Sequence, residues 1–259
     1  MEMTKTALQL LGQSGCRLEY NDTVIYMDPY LSNSVQELDS PDLERLAPIP
    51  LQPEEIIDAD WVLITHVHID HCDPHTLPKI SKYSPNCRFI GTPPVLSKLL
   101  EWGISANRCQ IATENWFDID SKIKVISVPA AHPEIERDIN GNLMCVGYIL
   151  ELDRNRIYLA GDTSVKEEII ETLKSLTPIN NALLPVNEHN FFRGRRGIIG
   201  NMSVRDAFLL ADEIGIKTVI PVHWDMFAVN SVSPDEIQAI YEQMKPNFEL
   251  KIQPTAIVL

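Results

Sequence analysis

The stretch that decides the fold is WVLITHVHIDHCDPHTL, residues 61–77. It contains four of the chain's seven histidines, His66, His68, His71 and His75, with Asp70 among them. Its first four residues are apolar and partly β-branched, which predicts a short buried strand. Imidazole and carboxylate groups directly behind a buried strand are costly unless something pairs with them. The pattern therefore favours a metal site.

The spacing inside this motif predicts how its ligands divide. His66 and His68 are two residues apart, so on an extended backbone their side chains point the same way. Asp70 and His71 lie on the turn beyond, where adjacent side chains diverge. We expect the two pairs to serve two neighbouring metal ions, and imidazole with carboxylate suits Zn, Mn, Fe or Co. His75 is expected at the following helix and is not counted as a ligand.

Three later apolar segments also end in a candidate ligand. They read VISVPAAH, IYLAGDT and VIPVHWD, and their ligands are His132, Asp162 and His223. Ligands of layered α/β proteins commonly bind at the carboxyl ends of strands. The sequence therefore predicts one cluster of metal-binding residues: His66, His68, Asp70, His71, His132, Asp162 and His223.

Composition limits the partners and the compartment. The 259 residues carry a net charge of −14, and an acidic surface disfavours binding to a nucleic acid polymer. Five cysteines without a CxxC pair argue against a disulfide framework and for a reducing compartment. The opening residues, MEMTKTALQLLG, resemble neither a signal peptide nor a membrane span. We expect a cytoplasmic homo-oligomer with no membrane partner.

The order of predicted elements indicates the fold class. Strands early and late in the chain are each followed by a helix, with paired strands between them, and no linker interrupts the pattern. This predicts an α/β protein with one domain, residues 1–259, in which two mixed sheets pack face to face with helices outside. Residues 32–53 are polar and proline-rich, which predicts a long surface loop and a candidate cover for the site.

Two motifs together carry a family resemblance. THVHIDH matches the HxHxDH signature, and GDT at residues 161–163 follows an apolar strand, in the order seen in the metallo-β-lactamase superfamily. The resemblance covers essentially the whole chain. It implies a four-layer αβ/βα sandwich with its metal site at the edge of two mixed sheets. It also implies that Asp162 bridges two metals, that His223 completes the second site, and that His132 is the third-motif ligand.

The later part of the chain resembles one branch of that superfamily. RRGIIGNMSVRDAFLLADEIGIKTVIPVHWDMF, residues 195–227, is similar to the bacterial L-ascorbate-6-phosphate lactonase branch. The resemblance implies a lactonase-like hydrolase that opens a small anionic, phosphorylated, sugar-derived cyclic ester by attack of a metal-bound hydroxide. Its cofactor would be one or two divalent ions, Mn or Zn, with Fe as a further option. Asp70 would be catalytic as well as a ligand, because it can orient the water or carry its proton.

A basic, glycine-spaced stretch supplies candidates for binding the substrate. It reads NEHNFFRGRRG, residues 187–197, in an otherwise acidic protein. An arginine there can bind a phosphate or carboxylate through two hydrogen bonds, although a merely solvated loop is an equal interpretation. The predicted substrate contacts are Arg196, Arg193, Glu188 and His189. Asp225, two residues after His223, is expected to hold a ligand imidazole in place.

Two other functions remain open. A metal-dependent phosphodiesterase on the same fold would use the same metal clamp, and an acidic surface leaves small anions as its substrates. A non-catalytic metal-binding protein is the third interpretation, and the full set of seven ligands argues against it. β-Lactam hydrolysis is disfavoured because residues 195–227 resemble the sugar-lactonase branch.

Overall fold

The computed structural model describes residues 6–153, 155–253 and 257–258. The described chain divides into two compact units, one running to Ala112 and including 257–258, the other running from Thr113 to Gln253. Each unit contains one seven-stranded sheet with both parallel and antiparallel pairs. The α/β class and the two mixed sheets confirm the prediction. The single domain over residues 1–259 stays a prediction.

The first sheet places the histidine-rich motif at the end of a buried strand. Its strands are β1 Thr6–Gly12, β2 Gly15–Tyr20, β3 Thr23–Met27, β4 Trp61–Ile64, β5 Arg88–Gly91, β6 Cys109–Ile111 and, at the end of the chain, β14 Ile257–Val258. Their order is β14-β1-β2-β3-β4-β5-β6. The pairs from β14 to β3 are antiparallel, and those from β3 to β6 are parallel. All four residues of β4 are buried, as expected for an inner parallel strand.

Two helices cover this sheet: α1 Leu77–Tyr83 and α2 Pro93–Glu101. Their apolar residues join a buried cluster with the strand residues Val62, Ile64 and Phe89. Asp73 closes the turn before α1, because its carboxylate accepts hydrogen bonds from His75 N and Thr76 Oγ1. This turn delays the start of α1 until Leu77, so His75 precedes the helix.

The long loop 32–53 is tied to that same turn. Ser32 Oγ donates to both carboxylate oxygens of Asp73, and Leu31 N donates to Thr76 Oγ1. A single helical turn, Val35–Asp39, follows. The loop therefore begins beside the residues that follow the histidine motif. Its role as a cover stays a prediction.

The second sheet repeats the half-antiparallel, half-parallel plan. Its strands are β7 Phe117–Asp118, β8 Ile123–Pro129, β9 Val146–Leu152, β10 Asn155–Leu159, β11 Asn181–Pro185, β12 Thr218–Val222 and β13 Glu249–Leu250. Their order is β13-β12-β11-β10-β9-β8-β7. Strands β10 to β13 are parallel neighbours, so their carboxyl ends lie at one edge of the sheet.

Four helices belong to the second unit: α3 Glu167–Ser175, α4 Phe191–Gly194, α5 Val204–Ile214 and α6 Pro234–Met244. Helix α5 begins after an N-cap at Ser203 and ends at Gly215, whose φ of 76° is left-handed. Buried residues of α3, α5 and α6 join one core cluster with residues of the sheet. In the described part of the chain, no helix combines the length and apolar character needed to cross a membrane.

Candidate metal centre

The first ligand group follows β4 and lies within the first unit. The ring centroid of His66 is 4.6 Å from that of His68 and 4.3 Å from that of His71. Asp70 Oδ2 is 3.6 Å from His71 Nε2. Both His71 N and Cys72 N donate to His68 O, which closes the turn. The structure therefore brings these four predicted ligands together, and their division between two metal ions stays a prediction.

A buried aspartate that the sequence analysis missed anchors this group. Asp28 follows β3, is fully buried, and has a positive φ of 40°. Its Oδ1 accepts from Thr65 N at 2.9 Å, and its Oδ2 accepts from Thr65 Oγ1 at 2.6 Å. Oδ2 also lies 2.8 Å from His71 Nδ1. One carboxylate therefore fixes both the strand end and the imidazole.

These contacts decide which ring nitrogens carry the protons. Thr65 Oγ1 gives its single hydrogen to Asp28, so His66 Nδ1, 3.0 Å away, must donate to Thr65 Oγ1. His71 Nδ1 likewise donates to the Asp28 carboxylate. In the neutral rings of His66 and His71 the lone pair is then on Nε2, the nitrogen that a metal ion would use.

A second missed residue holds Asp70. Gln13, in the turn between β1 and β2, is 3% exposed, and its Nε2 donates to Asp70 Oδ2 at 2.6 Å. The two residues are 57 positions apart, so no local pattern points to the pair. This hydrogen bond orients the half-buried Asp70 beside His71.

The second ligand group lies within the second unit at the ends of three strands. Asp162 follows β10, and its Oδ1 is 3.2 Å from His223 Nε2, beyond β12. Its Oδ2 is 3.6 Å from His132 Nε2, beyond β8. All three side chains are at most 5% exposed. The carboxylate thus turns one oxygen to each imidazole, and this arrangement suits a bridging ligand.

Local backbone contacts build this second group. Thr163 Oγ1, in the GDT motif, accepts from Ala131 N at 3.0 Å, and Ser164 N donates to Ala131 O at 2.8 Å. These bonds fasten the loop after β8 to the loop after β10. His223 has a φ of 61°, a left-handed backbone conformation that is uncommon for residues other than glycine.

The donor set of each group fits a divalent metal ion. Each combines imidazole nitrogens with a carboxylate oxygen, which are ligands of Zn and Mn. Cys72 lies beside the first group, but burial raises the pKa of its thiol to about 12, so it stays protonated at neutral pH. His75 lies outside the group, with its Nδ1 3.3 Å from the exposed Glu37. Its exclusion from the predicted ligands stays a prediction.

The two arginines predicted to contact the substrate, Arg193 and Arg196, differ in their surroundings. Arg193 Nη1 donates to the carbonyls of Asn187 at 2.5 Å and Glu188 at 2.9 Å, and Nη2 donates to Ser231 O at 3.1 Å. Its guanidinium therefore holds backbone together. Arg196 is exposed. A substrate role for either arginine stays a prediction.

The remaining predicted residues flank these arginines or follow His223. Glu188 is half-buried, accepts from Asn190 Nδ2 at 3.2 Å, and lines a cavity of about 160 Å³ beside the start of α5. His189 is exposed and Asp225 is half-buried. Their roles as substrate contacts, and that of Asp225 behind a ligand imidazole, stay predictions.

Comparison with known proteins places the chain among hydrolases. A family model described as "Beta-lactamase superfamily domain" matches residues 23–224. A UPF0173 metal-dependent hydrolase of Pyrococcus horikoshii is 28% identical over 256 residues, covering 95% of this chain and 99% of the relative. A probable L-ascorbate-6-phosphate lactonase of Salmonella heidelberg is 23% identical over 223 residues. That match covers 81% of this chain but only 61% of the lactonase.

A solved structure shares the fold. The possible metal-dependent hydrolase of Veillonella parvula superimposes with a TM-score of 0.78 at 16% sequence identity. The superposition covers 99% of this chain and 100% of the other. The likeness therefore extends over the whole architecture, including both sheets.

Proposed function

The chain belongs to the β-lactamase superfamily, and from that premise we propose that it is a metal-dependent hydrolase that opens a small, anionic, sugar-derived cyclic ester. The observation that carries the proposal is the pair of ligand groups at the strand ends, each joining imidazole nitrogens to a carboxylate. Similarity to the UPF0173 hydrolases and to the probable lactonase supports the hydrolase and lactone parts respectively.

Each ligand group is proposed to take part in binding a divalent metal, with one or two ions in all. The first group would contribute the Nε2 atoms of His66 and His71 together with His68 and Asp70. The second would contribute His132, Asp162 and His223. When bound, a Zn or Mn ion supplies a water of lowered pKa and polarises the carbonyl under attack.

The protein's own residues would set up the proton transfer and orient the imidazoles of His66 and His71. Gln13 donates to Asp70 Oδ2 at 2.6 Å and so orients a carboxylate that would accept a proton from the attacking water. Asp28 and Thr65 keep His66 and His71 in one tautomer, so neither ring must rotate or exchange a proton before the reaction. Preorganisation of this kind lowers the cost of reaching the transition state.

The exposed arginines of residues 187–197 support an anionic substrate. Arg195 lies over the ring of Phe191 at 5.8 Å, and Arg196 extends to solvent. In a protein of net charge −14, a local positive site is needed to hold a phosphate or carboxylate against the general repulsion. We therefore assign the anionic end of the substrate to Arg196.

A hydrolysis assay tests this proposal. The protein is stripped of metal, reloaded with Mn²⁺ or Zn²⁺, and offered 6-phospho-D-glucono-δ-lactone and bis-p-nitrophenyl phosphate. Ring opening of the lactone, measured by proton release above the spontaneous rate, is the expected result. The metal-free protein is the control and should show the spontaneous rate alone.

Two other outcomes of this assay would indicate a different function. Cleavage of the phosphodiester without opening of the lactone would establish a phosphodiesterase instead. Stoichiometric metal binding with neither reaction, across a panel of phosphorylated lactones and cyclic nucleotides, would favour a non-catalytic metal-binding protein.

A further inference from the structure

Two buried asparagines of the second unit have no role in the site described so far. Asn187 is 0% exposed and Asn201 is 2% exposed. Within the described residues, the Nδ2 and Oδ1 atoms of both side chains have no hydrogen-bond partner. Native proteins pair the large majority of such buried groups, so each exception calls for an explanation. A bound polar ligand that pairs with these groups is one such explanation.

The strand register places Asn187 at the edge of the sheet that carries Asp162 and His223. Leu183 of β11 pairs with Leu159 of β10 on one side and with Ile220 of β12 on the other. Asp162 lies three residues after Leu159 of β10, and His223 lies three residues after Ile220 of β12. Three residues after Leu183 of β11 is Val186, and Asn187 follows it. Asn187 therefore lies between the two strand ends that carry the metal ligands.

The alternation of side chains separates Asn187 from the helix-covered core. Ala182, Leu184 and Val186 all belong to the buried cluster that includes residues of α3 and α5. Successive residues of a strand point to opposite faces, and Val186 N still pairs with Val222 O at 3.1 Å. The side chain of Asn187 thus belongs to the other face of this sheet, away from those helices.

Backbone contacts hold the two asparagines in one rigid frame. Glu188 N donates to Met202 O at 3.0 Å, and His189 N donates to Asn201 O at 3.1 Å. Gly200 lies so close that a Cβ atom there would be 2.3 Å from Glu188 O. The segment that carries Asn201 is therefore fixed against the segment that carries Asn187, and backbone hydrogen bonds hold both asparagines in place.

We infer that Asn187 and Asn201 form a subsite that binds hydroxyl groups of the substrate beside Asp162 and His223. Each carboxamide offers two N–H donors and one carbonyl acceptor. A phosphate or carboxylate would satisfy the donors alone, and a hydrocarbon would satisfy neither. A hydroxyl group both donates and accepts, so a polyhydroxylated ring complements the pair. This inference rests on the proposed function and adds the polyol character of the substrate.

Binding of two matched hydroxy acids tests the subsite without requiring turnover. The probes are D-gluconate and 6-hydroxyhexanoate, which share a six-carbon chain, a carboxylate and a terminal hydroxyl and differ in the intervening hydroxyls. Calorimetry with the Mn²⁺-loaded protein should give tighter binding of D-gluconate. Asn187→Leu and Asn201→Leu should each weaken binding of D-gluconate by about tenfold or more and leave that of 6-hydroxyhexanoate within about twofold, because a site built for hydroxyls discriminates strongly.

A control variant separates the subsite from general damage. Asn181→Leu makes the same change at the opposite end of β11, where the residue is also buried, and should leave both affinities unchanged. Removing an unpaired amide should not lower the melting temperature. If Asn187→Leu does not fold, Asn187→Asp carries the test, since it keeps the shape and removes the N–H donors.

Three results would overturn the inference: no preference for D-gluconate in the wild type, equal losses for both probes, or unchanged affinity in both leucine variants. The proposed function fails separately. If no lactone is opened but the preference for D-gluconate depends on Asn187, the subsite stands and the reaction is wrong. If lactones are opened and the leucine variants keep the wild-type preference, the reaction stands and the subsite is wrong.

Discussion

Asp28 and His71 form a buried pair in which Oδ2 of the carboxylate lies 2.8 Å from Nδ1 of the imidazole and neither side chain is exposed. Asp28 follows β3, and His71 lies in the turn after the parallel neighbour β4. Asp28 N also donates to Leu63 O at 3.0 Å. Strand pairing therefore sets this contact, and a ligand imidazole is oriented by the sheet itself.

We expect Asp28→Asn to weaken metal binding by roughly 10- to 100-fold, because outer partners of ligand histidines have effects of this size. The amide keeps the shape but loses the charge that favours a donating Nδ1 and a more basic Nε2. Competition with a chromogenic chelator measures the affinity. Asp60→Asn is the control, since Asp60 is exposed and its carboxylate accepts a hydrogen bond from Val24 N. Equal affinities in wild type and Asp28→Asn would remove the anchoring role.

Asp162→Asn should lose bound metal and hydrolytic activity together. Its two carboxylate oxygens lie 3.2 Å from His223 Nε2 and 3.6 Å from His132 Nε2, and an amide nitrogen cannot replace either oxygen as a ligand. Elemental analysis after desalting gives the metal content per chain. Asp118→Asn, at an exposed position in the same unit, should keep the full content. A variant with wild-type metal content and rate would contradict the assignment of Asp162.

The sequence predicts the strand ends that carry the candidate ligands well, because the signal is local. A short apolar run that ends just before His66 or His223 marks both the strand and its end. A signal confined to neighbouring residues likewise gives the capped start of α5 at Ser203. Each of these features depends on residues only a few positions apart.

The sequence does not predict the partners that orient those ligands. Asp28 reaches Thr65 and His71 only because β3 pairs with β4, and Gln13 reaches Asp70 across 57 residues. Arg193 illustrates the same limit. Its position in a basic, glycine-spaced stretch suggests an anion site, whereas its three carbonyl partners, one of them on Ser231, depend on how distant loops meet.

The free energy of unfolding should fall as the pH rises from about 9 towards 12. Burial raises the pKa of Cys72 and Cys87 from 9.0 to about 12, and that of Tyr26 and Tyr30 from 10.0 to about 12. In that window the unfolded chain loses protons that the folded chain keeps, so stability falls with increasing pH. Urea unfolding at several pH values measures the slope, and Cys87→Ala should reduce it. A flat profile up to pH 11 would contradict these raised pKa values.

Truncation of Arg193 should lower the stability of the protein, whereas truncation of Arg196 should weaken substrate binding. Arg193→Ala removes three partly buried hydrogen bonds from a charged donor to backbone carbonyls, so we expect a loss of about 2 kcal/mol in urea unfolding. Arg196→Ala should change stability by less than about 0.5 kcal/mol, because its side chain is exposed. It should instead raise KM for the phosphorylated lactone and leave KM for an uncharged lactone unchanged. An equal rise for both lactones would remove its anion-binding role, since only a charged contact distinguishes them.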